Sequence, residues 1–346
     1  MKKTVLYIVI VMTLYITGFT ACSHLSKLHH GGASNHYDGE HFHNLAIDPK
    51  GQRSAKDFLT WFFNRNLEPW TNLTNKTNTL LNIRPTSLNV TWINHATVLV
   101  QVDGVNILTD PIWSERASPF SWLGPQRQMP PPIPISELPP IDAVVISHNH
   151  YDHMDLASLE QLNSLYQPVF ITPLANKHYL ESAGITNIVE LDWWQAHSIN
   201  SVKITATPAQ HWSKRTLFDA NRALWSGFYI QGLQQSVFYA GDTAYQAHFK
   251  LVKERLGPPS VALLPIGAYK PQWFMQRAHT SPEEAVLAHI DLKANISVPI
   301  HYGTFKLGDD SPESALSDLE KAIVTHHLDN KAFSILAPGE LLSVKP

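Results

Sequence analysis

The stretch SHNHYDH (147–153) places three histidines and an aspartate within seven positions, directly behind the apolar run AVVI (143–146). Imidazole nitrogen and carboxylate oxygen are both zinc ligands, at about 2.0–2.2 Å, and imidazole also carries protons near neutral pH. In His148-x-His150 the two rings can turn onto one cation. Asp152 and His153, next along the loop, can serve a second cation a few ångströms away. Three more ligand types follow apolar runs: His211 behind VKITATPAQ, Asp242 behind SVFYAG and His301 behind ISVPI. His211 would complete the first site and His301 the second, while Asp242 could place one oxygen on each ion. Two divalent cations about 3.5–4 Å apart can polarise a phosphoryl or carbonyl oxygen and stabilise a leaving oxygen. The chemistry so implied is hydrolysis, with Asp152 and Asp242 among the catalytic candidates. Zinc, two ions per chain, is the leading cofactor, and the same ligands accept iron or manganese.

Two histidines in a turn are ordinary; all four ligand residues of HxHxDH together are not. Asp110 in LTDP also closes an apolar run, as an acceptor that could orient a ligand histidine or as an ordinary turn aspartate. His95 in INHATVLV reads as a satisfied strand-end histidine and, with His178, His197 and His248, is placed outside the metal site.

These residues need rigid supports. LNVTWIN, TVLVQV and VNILTD (88–110) read as consecutive strands, with Asp103-Gly104 as a tight-hairpin signal. AVVIS, VFITP, NIVELDW, VKITATPA, LWSGFYI, SVFYAGD, VALLPI and ISVPIH continue the series. Helical patterns lie between several of them, over 154–166, 175–184 and 281–292. Ser281, Pro282 and Glu284 supply an N-cap, a first-turn proline and a capping-box acid. Mixed helices and strands, the strands in long antiparallel series, predict an α/β fold with two packed sheets and helices outside. Ligands at strand ends then share one rim.

At 346 residues and 44% hydrophobic, the chain can bury a sizeable core. A net charge of −3 without a basic stripe does not favour nucleic acid as a partner. Lys2 and Lys3, the apolar stretch 4–17 and GFTAC (18–22) read as a lipoprotein signal peptide over 1–21, with Cys22, the only cysteine, as the lipidation site. A signal anchor is the alternative, and either would tether the protein to a membrane. Residues 22–45 read as a His-rich tether, where His24, His29, His30, His36, His41 and His43 could bind metal weakly. Residues 46–87 read as an N-terminal extension packing on the core, with 57–70 as a short helix whose Phe58, Trp61, Phe62 and Arg65 fall at helical spacing. Its aromatics are expected to cover a core edge, a membrane-facing role being the other option. Residues 88–346 read as the hydrolase domain.

HxHxDH with the later His, Asp and His resembles the metallo-β-lactamase superfamily. WINHATVLVQVDGVNILTDPIWSERASP, ISELPPIDAVVISHNHYDHMD, ELDWW, QHWSKRTLFD, FYAGDTAY, PIGAYKPQWFMQRAHTSPEEA and IHYGTF, over about 88–305, are similar to its N-acylphosphatidylethanolamine-hydrolysing phospholipase D group. That resemblance implies an αββα four-layer sandwich. It implies His148, His150 and His211 on one zinc, Asp152, His153 and His301 on the other, and Asp242 between them. His279 in QRAHTSPEEA matches a histidine near the substrate, able to orient a phosphate or protonate a leaving oxygen. Arg215 in SKRT is a second substrate-binding candidate, for a phosphate oxygen. Ser121-Trp122 departs from the group's Gln-Tyr pair, so no head-group contact is carried over to these positions. The implied activity is phospholipase D cleavage of membrane phospholipid, giving phosphatidic acid and an N-acylethanolamine. A lactonase or other ester or amide hydrolase is the alternative, followed by a non-catalytic metal-binding surface lipoprotein. The expected setting is the bacterial cell envelope, on the periplasmic side of an outer membrane, and a homodimer is compatible with it.

Overall fold

The computed structural model describes residues 28–46, 54–76, 79 and 81–345. The expected signal peptide, Cys22 and His24 lie outside the described residues. In chain order the elements are α1 (Ala55–Phe63), β1 (Leu88–Asn94), β2 (Thr97–Val102), β3 (Val105–Thr109), β4 (Ala143–Val145), α2 (Leu156–Tyr166), β5 (Val169–Pro173), α3 (Lys177–Ser182) and β6 (Ile188–Leu191). There follow β7 (Ala196–Ile199), β8 (Val202–Thr207), β9 (Gly227–Gln231), β10 (Ser236–Tyr239), α4 (His248–Leu256), β11 (Val261–Pro265), α5 (Gln272–Met275), α6 (Pro282–Leu292), β12 (Ile296–Ile300), α7 (Pro312–Thr325) and β13 (Glu340–Val344).

The strands form two sheets, in the orders β13-β1-β2-β3-β4-β5-β6 and β12-β11-β10-β9-β8-β7. Period-two alternation builds the layers. Val98, Val100, Ile107 and Val145 share one buried cluster with Phe228, Ile230, Val237 and Leu263 of the second sheet. Their neighbours Leu99, Leu108, Val144 and Ile146 pack instead with Leu159 and Leu162 of α2. Both faces of the central strands are therefore buried, and helices cover the outside, as the αββα expectation requires. Among the described residues no helix is long and apolar enough to cross a membrane.

The β2–β3 turn puts Asp103 and Gly104 at φ 49° and 77°, the two positive values that a tight hairpin of this kind needs. At α6, Ser281 and Glu284 form the expected capping box, with Pro282 in the first turn. The pairing is less antiparallel than expected. β3-β4-β5-β6 and β10-β11-β12 run parallel, because helical crossovers separate most of these strands and a crossover returns the chain in the same direction.

Two N-terminal readings change. Of the tether expected over 22–45, the described part, 28–45, is in large part docked: Phe42, Tyr37 and His36 are buried, and Phe42 N–H donates to Asn221 O at 2.7 Å. An aromatic pair within a polar stretch supplied the apolar area that composition averaged away. Helix α1 is shorter than 57–70, and of its aromatics only Trp61 finds a core partner, stacking on Phe274 at 4.9 Å between centroids. Phe58 and Phe62 are exposed.

Candidate metal centre

Each of the seven sequence-derived ligands follows a strand of one of the two sheets, and the structure brings all seven together. His148 Nε2 lies 2.7 Å from His150 Nδ1, which lies 3.3 Å from His211 Nε2. On the other side Asp152 Oδ2 lies 3.2 Å from His153 Nε2 and 3.4 Å from His301 Nε2. Asp242 stands between: Oδ1 is 3.0 Å from His301 Nε2, and Oδ2 is 3.3 Å from His153 Nε2 and 3.7 Å from His211 Nε2. Oδ1 thus faces the Asp152 side alone, while Oδ2 reaches both sides. Gly241 makes this approach feasible. At φ 61° it occupies the left-handed region, and a Cβ there would sit 2.7 Å from Ser147 Cβ.

The donor set fits divalent cations. His153 Nε2, His301 Nε2 and Asp242 Oδ1 are buried and lie close together, yet none makes a hydrogen bond of proper geometry. Buried polar atoms without partners are rare, and a cation among them satisfies all three. Charge gives the same answer. Burial opposes ionisation of Asp152 and Asp242, but the charge of His153 outweighs it and holds both carboxyls well below the usual range. Burial likewise opposes protonation of His301, and Asp242 overrides it, lifting the imidazole to about 9. The carboxylate pair therefore demands positive charge here, which protons supply in the absence of metal. His148 and His211 go the other way: burial drives both far below the normal histidine value, leaving neutral rings suited to ligation.

Outer contacts aim the rings. His153 Nδ1 donates to Asp110 Oδ2 at 2.5 Å, His211 Nδ1 donates to Ala278 O at 2.9 Å, and His148 Nδ1 lies 2.9 Å from Ser147 Oγ. A donated Nδ1 proton leaves Nε2 free to ligate. Asp110 is thus an orienting acceptor, the functional one of its two sequence readings.

His279 lies at the mouth of the centre, half-buried, with Nδ1 3.7 Å from Asp242 Oδ2 and its ring 5.4 Å from that of His211. Arg215 is held against the 147–153 loop. Its Nη1 donates to Asn149 O at 3.1 Å and Met154 O at 2.9 Å, and its guanidinium lies 4.2 Å over the Tyr151 ring. It clamps the 147–153 loop from behind, because buried carbonyls there lack other donors. A cavity of about 500 Å³ adjoins this loop, lined by Arg116, Phe120, Ser121, Tyr151, Asp155 and Arg215 but by none of the seven ligands.

Sequence reasoning missed His95. It occupies the β1–β2 turn at φ 45°, fully buried, with Nε2 3.0 Å from Asp152 Oδ2. Burial, then the charge of His301, pushes its imidazole down to about 3, so it is a neutral donor. Its ligand atom also lies within 4.8 Å of those of Asp152, His153 and His301. The one available signal was a histidine in a two-residue turn where Asn-Gly is usual. His95→Ala is expected to weaken binding of the ion beside Asp152 about 10- to 100-fold and to spare the other ion. Competition with a chelator measures both, and unchanged affinities would remove His95 from the centre.

Comparison with known proteins gives the chain relatives of one kind. A family model described as a β-lactamase superfamily domain matches residues 105–302. The chain is 37% identical over 269 residues to the N-acyl-phosphatidylethanolamine-hydrolyzing phospholipase D 1 of Caenorhabditis elegans, covering 73% of this chain and 75% of that protein. It is 31% identical over 256 residues to a metal-dependent hydrolase of Methanopyrus kandleri, covering 73% of this chain and 98% of that one. The isothiocyanate hydrolase from Delia radicum gut bacteria superposes with a TM-score of 0.60 at 21% identity, covering 74% of this chain and 100% of that chain, a likeness of fold alone.

Proposed function

Because the chain belongs to the metallo-β-lactamase superfamily and is a metal-dependent hydrolase by its relatives, we propose that it hydrolyses a phosphodiester of membrane phospholipid. The substrate is of the N-acylphosphatidylethanolamine type, and the products are phosphatidic acid and an N-acylethanolamine. The observation that carries this reading is the placement of Asp242 between the two ligand sets, in reach of His301 and His153 on one side and His211 on the other, with His279 beside it. An anionic bridge suits a tightly held cation pair that must face an anionic diester. The C. elegans relative supports the lipid class.

The seven residues would hold two divalent cations, zinc in this reading, whose Lewis acidity would polarise the phosphoryl oxygens and offset charge developing there. The chain does the rest. Asp110, Ala278 O and Ser147 hold the ligand rings in aim. Hydrolysis adds water across the phosphorus–oxygen bond on the ethanolamine side, and the leaving oxygen takes up a proton. The His279 imidazole stands where it can deliver that proton or orient the phosphate. The lipid setting is supported by exposed apolar side chains on the segments around the cleft. Phe120, Trp122 and Leu123 flank the cavity, Leu217 and Phe218 follow Arg215, and Trp273 precedes His279. Such a fringe beside a site suits an interface with lipid. Lipidation of Cys22 would hold the enzyme at an envelope membrane on the same side as its substrate.

Purified zinc-loaded protein assayed against N-acylphosphatidylethanolamine, phosphatidylethanolamine, bis-p-nitrophenyl phosphate and lactones tests the proposal. Phosphatidic acid and N-acylethanolamine are expected from the first substrate. Lactone turnover without any diester turnover would replace the proposal with the lactonase alternative.

A further inference from the structure

The docked N-terminal segment ends on a metal ligand. Asn44 Nδ2 donates to His211 O at 2.9 Å, and His211 N–H donates to Asn44 Oδ1 at 3.0 Å. The same Oδ1 accepts from Trp225 Nε1 at 2.9 Å. A primary amide offers a donor and an acceptor side by side, so one side chain satisfies both backbone groups of one residue as a neighbouring strand would. His211 needs this. It lies beyond the end of β8, outside the strand ladder, and its ring Nδ1 is held by Ala278 O.

The segment that delivers Asn44 is anchored independently. His36 Nε2 pairs with Asp192 at 2.7 Å, and its ring stacks on Trp193 at 4.4 Å. Phe42 is fully buried in the cluster beneath α2, contributing about 2 kcal/mol, and Glu40 pairs with Arg222. Residues 36–44 all precede the matched family domain, which begins at residue 105.

We propose that residues 36–46 are an N-terminal strap and that Asn44 is a positioning residue for His211, setting the affinity of the ion held by His148, His150 and His211. The proposal rests on the metal-centre reading above. It makes the N-terminal segment part of the site rather than a spacer.

The test uses the full chain, with zinc stoichiometry and the two dissociation constants read by chelator competition, and the visible spectrum of the cobalt(II) form as a second readout. Asn44→Ala is expected to weaken one ion about 10- to 100-fold, leave the second unchanged and alter the cobalt spectrum of one site. Asn44→Asp keeps the acceptor but sets a carboxylate against the His211 carbonyl, and is expected to weaken the same ion by a smaller factor. It carries the test if Asn44→Ala does not fold. Wild-type affinities for both ions in these variants overturn the proposal. So does an equal loss at both ions with a lowered melting temperature of the metal-free protein, since that is a general stability role. Wild-type protein that binds no metal at this rim would instead reject the metal centre itself.

Discussion

Asp242→Asn is expected to cost about 10³-fold or more in turnover with little change in melting temperature. The substitution is isosteric, so packing around the buried residue is preserved, and the loss is electrical. As a carboxylate, Asp242 offers one oxygen toward His301 and the other toward His153 and His211. Burial works against its ionisation, yet the charges of His153 and His301 hold it ionised. An amide keeps one acceptor oxygen and turns an NH₂ group toward some of the ligand residues, where it repels a cation. Several kcal/mol of charge stabilisation depend on a correctly held ion pair, and about 4 kcal/mol is about 10³-fold in rate. Metal analysis alongside kcat/KM settles the matter. An asparagine variant holding two ions per chain and keeping a tenth or more of wild-type turnover would refute the bridging position.

Much of this centre was legible in the sequence, for a physical reason. His148, Asp242 and His301 each directly follow a short apolar run, and such runs read as strands without knowledge of their partners. Strands of two packed sheets end at a common rim, so ligands at strand ends converge even when 150 residues separate them. The β2–β3 hairpin and the α6 cap were legible because each depends on residues within four positions of one another. What escaped were pairings across sequence distance. His95 looks like any turn residue until Asp152, 57 positions away, is beside it. Asn44 sits in a polar, histidine-rich stretch with the composition of a linker, and its partner is 167 positions off. Arg215 near a metal loop suggested an anion contact. Its buried carbonyl acceptors on Asn149 and Met154 arise from folding and leave no mark in local sequence. Of the α1 aromatics at the right period, Trp61 meets α5, while Phe58 and Phe62 are exposed.

Asp110→Ala is expected to unfold much of the protein at ambient temperature or, where it folds, to bind at most one ion. The Asp110 side chain is fully buried and accepts from four donors: Ser147 N–H at 2.7 Å, Ser147 Oγ–H, His153 Nδ1–H at 2.5 Å and Tyr239 O–H at 2.5 Å. Three of these meet at Oδ2, so the residue joins β3, the 147–153 loop and β10 through one atom. Alanine strands all four donors in an apolar setting. Removing one partner from a buried charged network costs about 3–5 kcal/mol, a large share of the 5–15 kcal/mol that holds a typical domain together. Asp110→Asn is no remedy. Its NH₂ group must face either the Ser147 amide or the three donors at Oδ2, and both arrangements set donor against donor. Tyr239→Phe isolates a single spoke: burial, and next the Asp110 charge, keeps that phenol protonated, so its loss should cost only about 1 kcal/mol. Urea denaturation of the metal-free variants, with zinc counts on the refolded protein, separates the cases. If Asp110→Asn matches wild type within about 1 kcal/mol and still carries two ions, then His153 is aimed by the fold around it, and the Asp110 hub is dispensable to the centre.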